Sequence, residues 1–187
     1  MRIEAVLLTG GSSSRMGEDK ARIEVEGVPM AVRIGNALND EGFAVTVLGA
    51  ERIEGFSFQP DPEEFQGPLF AISMFRPTAD LVFVTGCDIP LFDAKVIELL
   101  ESFRGEADAC VPNIQGKLQP TCALYRTACF ETARETIAEG KKSLFAWLDK
   151  LNVREVSEDE FRNGGIEPKS CLGANTPEEL QDLLNSS

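Results

Sequence analysis

The sequence predicts an α/β protein: a Rossmann-like, doubly wound, mainly parallel sheet with an antiparallel departure around residues 107–125, in one domain spanning residues 1–187. Three observations predict it. Short apolar runs, the mark of strands buried on both faces, recur at residues 4–8, 44–48 and 81–85. Segments of helical spacing separate them, which sets neighbouring strands parallel with helices across the faces. The length of 187 residues matches about one domain at roughly 150 residues each. It suffices to bury roughly 70% of the unfolded surface without disulfide staples.

Taken in order, the run at residues 4–8 ends in Thr9-Gly10-Gly11, a buried strand entering a glycine turn. Val28 to Asn39 reads as a helix, with Pro29 near its start and Gly42 as its stop. Ala44 to Leu48 is the second strand, Pro68 to Phe75 a short helix, and Leu81 to Thr85 the third strand, ending at Gly86-Cys87-Asp88. Asp93 reads as the N-cap of a helix over Ala94 to Phe103, whose Val96, Leu99, Leu100 and Phe103 share a face. Residues 107–112 and 118–125 read as strands around a turn at Asn113 to Lys117, followed by helices over Thr127 to Glu139 and Ser143 to Leu151. Leu144, Phe145 and Trp147 are expected in the core. The polar stretch Glu155 to Gly165 reads as a loop and Lys169 to Gly173 as a last short strand. Thr176-Pro177-Glu178-Glu179 opens a terminal helix with a cap, a first-turn proline and acids facing the dipole.

Composition excludes several function classes. A net charge of −13 argues against nucleic-acid and membrane-surface partners, which attract basic patches. The chain has no histidine, which removes imidazole-based triads, histidine phosphorylation and most zinc chemistry. Its five cysteines form no CxxC pair and read as reduced, buried small hydrophobes, Cys87 beside Asp88 included. The apolar run near the N-terminus is far shorter than a signal-peptide core or a spanning helix, so a cytoplasmic location is expected.

The strongest feature lies between Thr9 and Lys20, where twelve residues carry three glycines, three serines, Arg15 and Lys20. Glycines let backbone N–H groups surround an anion. Arg15 offers a planar fork and Lys20 a point charge, both suited to phosphate. The loop is not a Walker A motif, because no Gly-Lys pair is followed by Ser or Thr. Nor is it GxGxxG, since its glycines stand at positions 10, 11 and 17. A short-chain dehydrogenase is excluded too: the single tyrosine, Tyr125, is followed four residues later by Cys129 rather than lysine.

The stretch LTGGSSSRMGEDKARIEVEGVPM resembles the LAGGxSxRMGxDKxxxxxxGxP signature of the molybdenum cofactor guanylyltransferases, nucleotidyltransferases of molybdopterin-guanine dinucleotide biosynthesis. The resemblance continues through Gly67-Pro68-Leu69, Gly86-Cys87-Asp88-Ile89-Pro90, Gln119-Pro120-Thr121 and Asn175-Thr176-Pro177, in the family's order. It departs in three places. Thr9 replaces an alanine, Phe70 stands where the family's GPLAG block has a small residue, and an asparagine usual at the end of the second strand is absent at Leu48-Gly49.

The resemblance implies transfer of GMP from GTP to the phosphate of molybdopterin, with Mg2+ as cofactor. It also implies transient contact with Mo-cofactor insertion proteins or apo-molybdoenzymes. Leu8, Thr9, Gly10, Gly11, Ser12, Ser13 and Ser14, with Lys20, Asp61, Gly67, Pro68 and Leu69, are then the nucleotide-binding candidates. Lys20, Arg15 and Asp88 are the catalytic candidates, and Asp88, after a buried strand, is the metal ligand. Gln119 and Asn175 are the acceptor-binding candidates, with Asn113 and the Lys141-Lys142-Ser143 cluster as further contacts. Plainer readings stand beside these: Asp88 as a turn residue, Asp61 as a turn aspartate between prolines, Asn175 as a helix cap, Lys141 and Lys142 as solvated charges. Two other functions stay open, a CTP-using cytidylyltransferase of the same plan and a catalytically silent nucleotide- or cofactor-binding carrier.

Overall fold

A computed structural model describes residues 1–10, 20–61 and 66–185 of the chain. Strand β1 (Ile3–Leu8) buries Ala5 and Leu7 in one hydrophobic cluster and Val6 and Leu8 in another. Both faces of the strand are therefore apolar, which is why it reads as a run rather than an alternation. The remaining strands of the main sheet are β4 (Ala44–Gly49), β5 (Ser57–Pro60), β6 (Leu81–Gly86), β7 (Ala109–Ile114), β8 (Lys117–Leu118), β9 (Cys122–Arg126) and β10 (Val153–Ser157). The eight-stranded sheet has the order β10-β7-β9-β6-β1-β4-β5, with β8 paired to β7. β1 lies parallel to β4 and β6, and β4 parallel to β5. β9 runs antiparallel to both β6 and β7, and β10 parallel to β7. The expected mainly parallel sheet with an antiparallel departure is present, and the strand order reverses at β1.

Helices α1 (Met30–Asp40) and α3 (Val96–Arg104) cover one face. Helices α2 (Pro68–Met74), α4 (Cys129–Ala138) and α5 (Leu144–Leu148) cover the other, where Tyr125 stacks on Trp147 at 4.5 Å between ring centroids. Burying one such large side chain contributes about 1.5–3 kcal/mol. A third, smaller cluster joins Ala174 and Leu180, the latter on the terminal helix α7 (Pro177–Asn185), to Val25 and Met30. All five cysteines are buried. Among the described residues no helix is long and apolar enough to cross a membrane.

Several expectations are corrected. Val28 and Pro29 do not begin the first helix; they form strand β3, paired with β2 (Glu24–Val25) in a separate hairpin. A residue preceding proline is disfavoured in helical conformation, so α1 starts only at Met30. Asp93 does not cap α3: its Oδ1 accepts from Lys95 N at 3.0 Å and holds a turn ahead of the helix. Strand β5, not anticipated, is a four-residue edge strand with no fully buried residue. The supposed loop at 155–165 is the end of β10 followed by α6 (Glu158–Asn163). α6 is set by a Ser157–Glu160 capping box and by Phe161 as its one buried residue, so its apolar signal is slight. Residues 168–171 form a 3-10 turn rather than a strand, with Pro168 at its start. Phe145 is not a core residue: α5 is a single short turn that buries Trp147 and Leu148 and leaves Phe145 52% exposed.

Candidate functional site

The parallel strands all finish at one edge of the sheet, where β9 begins, and a sheet of this type offers its crevice there beside the strand-order reversal. Beyond β1, Thr9 N donates to Leu48 O at 2.9 Å and its hydroxyl to the same carbonyl at 3.3 Å. Beyond β5, Asp61 N donates to Gly49 O at 2.9 Å. A Cβ added to Gly10 would lie 3.5 Å from Asp61 Oδ2, so the start of the glycine loop and the Asp61 carboxylate are neighbours. Leu8, Gly10, Leu48, Asp61, Gly67, Pro68 and Ala71 line one small cleft. Its free volume is about 20 Å³, room for a water molecule rather than a ring system. Gly67, at φ 94°, adopts a backbone conformation that suits glycine and turns the chain into α2 with Pro68 at its first position. Leu69 is fully buried and serves packing.

Leu48-Gly49, a departure at the sequence level, has a steric cause. A Cβ at Gly49 would fall 2.1 Å from Thr9 Oγ1, so the threonine hydroxyl fills the space a side chain at position 49 would need. The two departures are one packing solution. On the other side of this crossing a cleft of about 290 Å³ runs from Thr9 past Ala21 and Arg22 to Arg52. Arg22 closes an ion pair with Glu51 across it. Neither arginine stood out in the sequence, because each looks like an ordinary surface charge until the fold sets it beside the loop.

Asp88 follows β6. Cys87 N donates to Leu8 O at 3.1 Å and Gly86 N to Thr121 O at 2.9 Å, which ties this turn to the ends of β1 and β9. Asp88 O accepts from Ala174 N at 2.8 Å, bringing the segment before α7 onto the same turn. Gln119 lies just ahead of β9, where its N donates to Pro112 O at 2.9 Å and its Nε2 to Lys117 O at 3.1 Å. Asn175 follows Ala174, and its N donates to Glu179 Oε2 at 2.6 Å. Asn113, near the end of β7, donates to Glu155 Oε2 at 2.7 Å, and Lys142 reaches Gln66 Oε1 at 2.5 Å. Asp61, Gly67, Pro68, Asp88, Gln119 and Asn175 thus gather along one edge. Gly11, Ser12, Ser13, Ser14 and Arg15 lie outside the described residues, as does the side chain of Lys20, whose backbone opens a 3-10 turn at Lys20–Arg22.

Burial pushes the Cys110 and Cys129 thiols up to about 12 and the Cys122 thiol well above its ordinary value. Such thiols stay protonated and poorly nucleophilic at neutral pH. Among the described residues no group of three acidic, cysteine or histidine side chains could hold a metal. A lone carboxylate at a strand end still fits an ion of the magnesium type, which takes most of its oxygens from substrate phosphates and water.

Residues 5–155 match the family described as the MobA-like NTP transferase domain. A probable molybdenum cofactor guanylyltransferase of Nostoc sp. is 33% identical over 95% of this chain and 88% of its own length. A protein of the same name from Bacillus subtilis is 30% identical over 97% of this chain and 94% of its own. Among solved structures, the molybdopterin-guanine dinucleotide biosynthesis protein A of Archaeoglobus fulgidus superposes with a TM-score of 0.80 at 22% identity. That match covers 98% of this chain and 97% of the other, and demonstrates a shared fold.

Proposed function

Because the chain belongs to the MobA-like NTP transferase family and is therefore a nucleotidyltransferase, we propose that it transfers GMP from GTP to the phosphate of molybdopterin and releases pyrophosphate. The observation that supports this reading is the approach of the Asp61 carboxylate to Gly10, where the glycine loop begins, with Asp88 following β6 on a turn tied to the end of β1. In the reaction an oxygen of the acceptor phosphate forms a bond to the α-phosphorus while the bond from that phosphorus to the β-phosphate oxygen breaks. The acceptor is already anionic near neutral pH, so a chain without histidine lacks nothing essential. The task is to hold two polyanions in line and to neutralise the leaving pyrophosphate.

In this reading, the backbone from Thr9 through Ser14 surrounds the phosphates. Arg15 and Lys20 neutralise the β- and γ-phosphates, and Lys20 stabilises charge as it develops on pyrophosphate. Asp61, with Gly67 and Pro68, bounds the nucleotide cleft, and Leu69 supports it from within the core. Asp88 would hold Mg2+, and the ion would supply positive charge to the phosphate oxygens. Gln119 and Asn175 contact the pterin, whose amide-like edge suits such side chains. Transient delivery to insertion proteins or apo-molybdoenzymes follows from the product.

The test is pyrophosphate release with Mg2+, molybdopterin and either GTP or CTP. Release with GTP is expected. Release with CTP alone overturns the base assignment, and release with neither favours a silent binding module. Lys20→Ala and Asp88→Ala are each expected to lower turnover by about 100-fold or more, the scale on which single charge-stabilising groups act. Full activity of Asp88→Ala in Mg2+ removes Asp88 as the metal ligand.

A further inference from the structure

We propose that Gly173, two residues ahead of Asn175 and far along the chain from Asp88, is the positioning residue that fixes the Asp88 carboxylate; this rests on the catalytic reading of Asp88. A Cβ added to Gly173 would lie 3.0 Å from Asp88 Oδ1, 3.2 Å from its Cγ and 3.4 Å from Oδ2. The backbone of Gly173 therefore faces the whole carboxylate rather than grazing one atom. Asp88 also meets Gly86, where an added Cβ would come within 2.8 Å of the same Oδ1. Two glycines therefore leave the room that the carboxylate occupies, and a side chain at either would crowd it.

The Gly173 wall is itself anchored. Ala174 N donates to Asp88 O at 2.8 Å, so the segment grips the backbone of Asp88 as well as flanking its side chain. Ala174 is fully buried in the small cluster with Val25, Met30 and Leu180. Ile23, which follows the 3-10 turn opened by Lys20, packs on the same cluster. The stretch from Gly173 to α7 thus locates Asp88 relative to the segment that carries Lys20. Displacement of a reacting group by about 1 Å costs roughly 100-fold in rate, so a few tenths of an ångström imposed here should be visible.

Gly173→Ala isolates this role. No positive φ is recorded at Gly173, so alanine meets the Asp88 carboxylate without backbone strain. Turnover is expected to fall about 10- to 100-fold while KM for GTP stays within about twofold. Tm should move by less than about 5 °C. Binding of Mn2+ to the GTP-loaded protein, followed by its EPR signal, should weaken about 10-fold, a readout that general loosening at unchanged KM does not produce. Wild-type kcat and Mn2+ affinity in Gly173→Ala overturn the proposal, as does a loss of turnover in which KM rises in proportion. Asp88→Ala, run alongside, separates the two failures. If it keeps wild-type turnover, the catalytic reading of Asp88 falls and takes this inference with it; if it is inactive while Gly173→Ala is normal, only the inference falls.

Discussion

Between β1 and β4 the chain brings Thr9, Gly10 and Gly49 together with almost no side chain, and backbone donors such as Asp61 N do the holding. Across Asp88, at the start of β9 and ahead of α7, two residues with amide side chains stand on turns instead: Gln119 beside the β7–β8 hairpin and Asn175 before its helix, the wall proposed for the acceptor. The first wall suits a ligand approached closely by backbone, as phosphates are. The second suits a ligand read by individual hydrogen bonds. It follows that the first should fail by steric crowding, in an all-or-none manner, and the second by graded loss of affinity.

The largest stability effect is expected at the backbone wall. Gly49→Ala places a Cβ 2.1 Å from Thr9 Oγ1, and overpacking of this kind costs about 1–3 kcal/mol. Thermal unfolding should record a fall in Tm of about 2–4 °C per kcal/mol. Removing the hydroxyl first, as Thr9→Ala, should recover part of the loss, because contacts at 3.1 Å to Gly10 N and 3.3 Å to the Thr9 carbonyl carbon persist. A double variant as unstable as the simple sum of the two single ones would break the claim that these positions are one packing unit.

Tyr125→Phe probes the support beneath the second wall. The buried Tyr125 hydroxyl donates to Pro120 O at 2.7 Å, fastening the turn between Gln119 and Thr121. Phenylalanine keeps the stack on Trp147 and leaves that carbonyl unpaired, a loss of about 1–2 kcal/mol. The comparison sharpens if KM for the acceptor then rises while KM for GTP holds. An equal rise in both would merge the two walls into one.

The two walls also differ in how far sequence discloses them. Thr9 to Lys20 announces a phosphate loop because its chemistry is concentrated in consecutive residues, and Asp88 is flagged by the buried strand that ends beside it. The Thr9–Gly49 crossing is invisible there, since two separate departures become one contact only after β1 and β4 pair. Gly173 carries no signal either: a glycine in an irregular stretch looks like any turn until Asp88 is brought against it. The main strands were legible from continuous apolar runs. β5 and β10 were not, because edge strands bury little, and α6 was hidden by its single buried Phe161. The expectation of a strand at 169–173 failed because burial of Cys171 mimics strand patterning, whereas Pro168 starts a 3-10 turn.

The mildest effects should come from the wall proposed for the acceptor. Gln119 is already held through its Nε2 on Lys117 O, which leaves its Oε1 as the atom to meet a donor on the pterin edge. Asn175 has its backbone N engaged by Glu179, so its position survives loss of the side chain. Truncating either removes one neutral hydrogen bond, about 0.5–1.5 kcal/mol, or roughly 2- to 12-fold in affinity. Gln119→Ala and Asn175→Ala are therefore expected to raise KM for molybdopterin by that factor, with Tm and KM for GTP unchanged. If the two act on one ligand, the double variant should multiply the effects without touching the nucleotide. A rise in KM for GTP instead would place these side chains on the nucleotide's side of Asp88, and the division between a backbone wall and a side-chain wall would have to be drawn elsewhere.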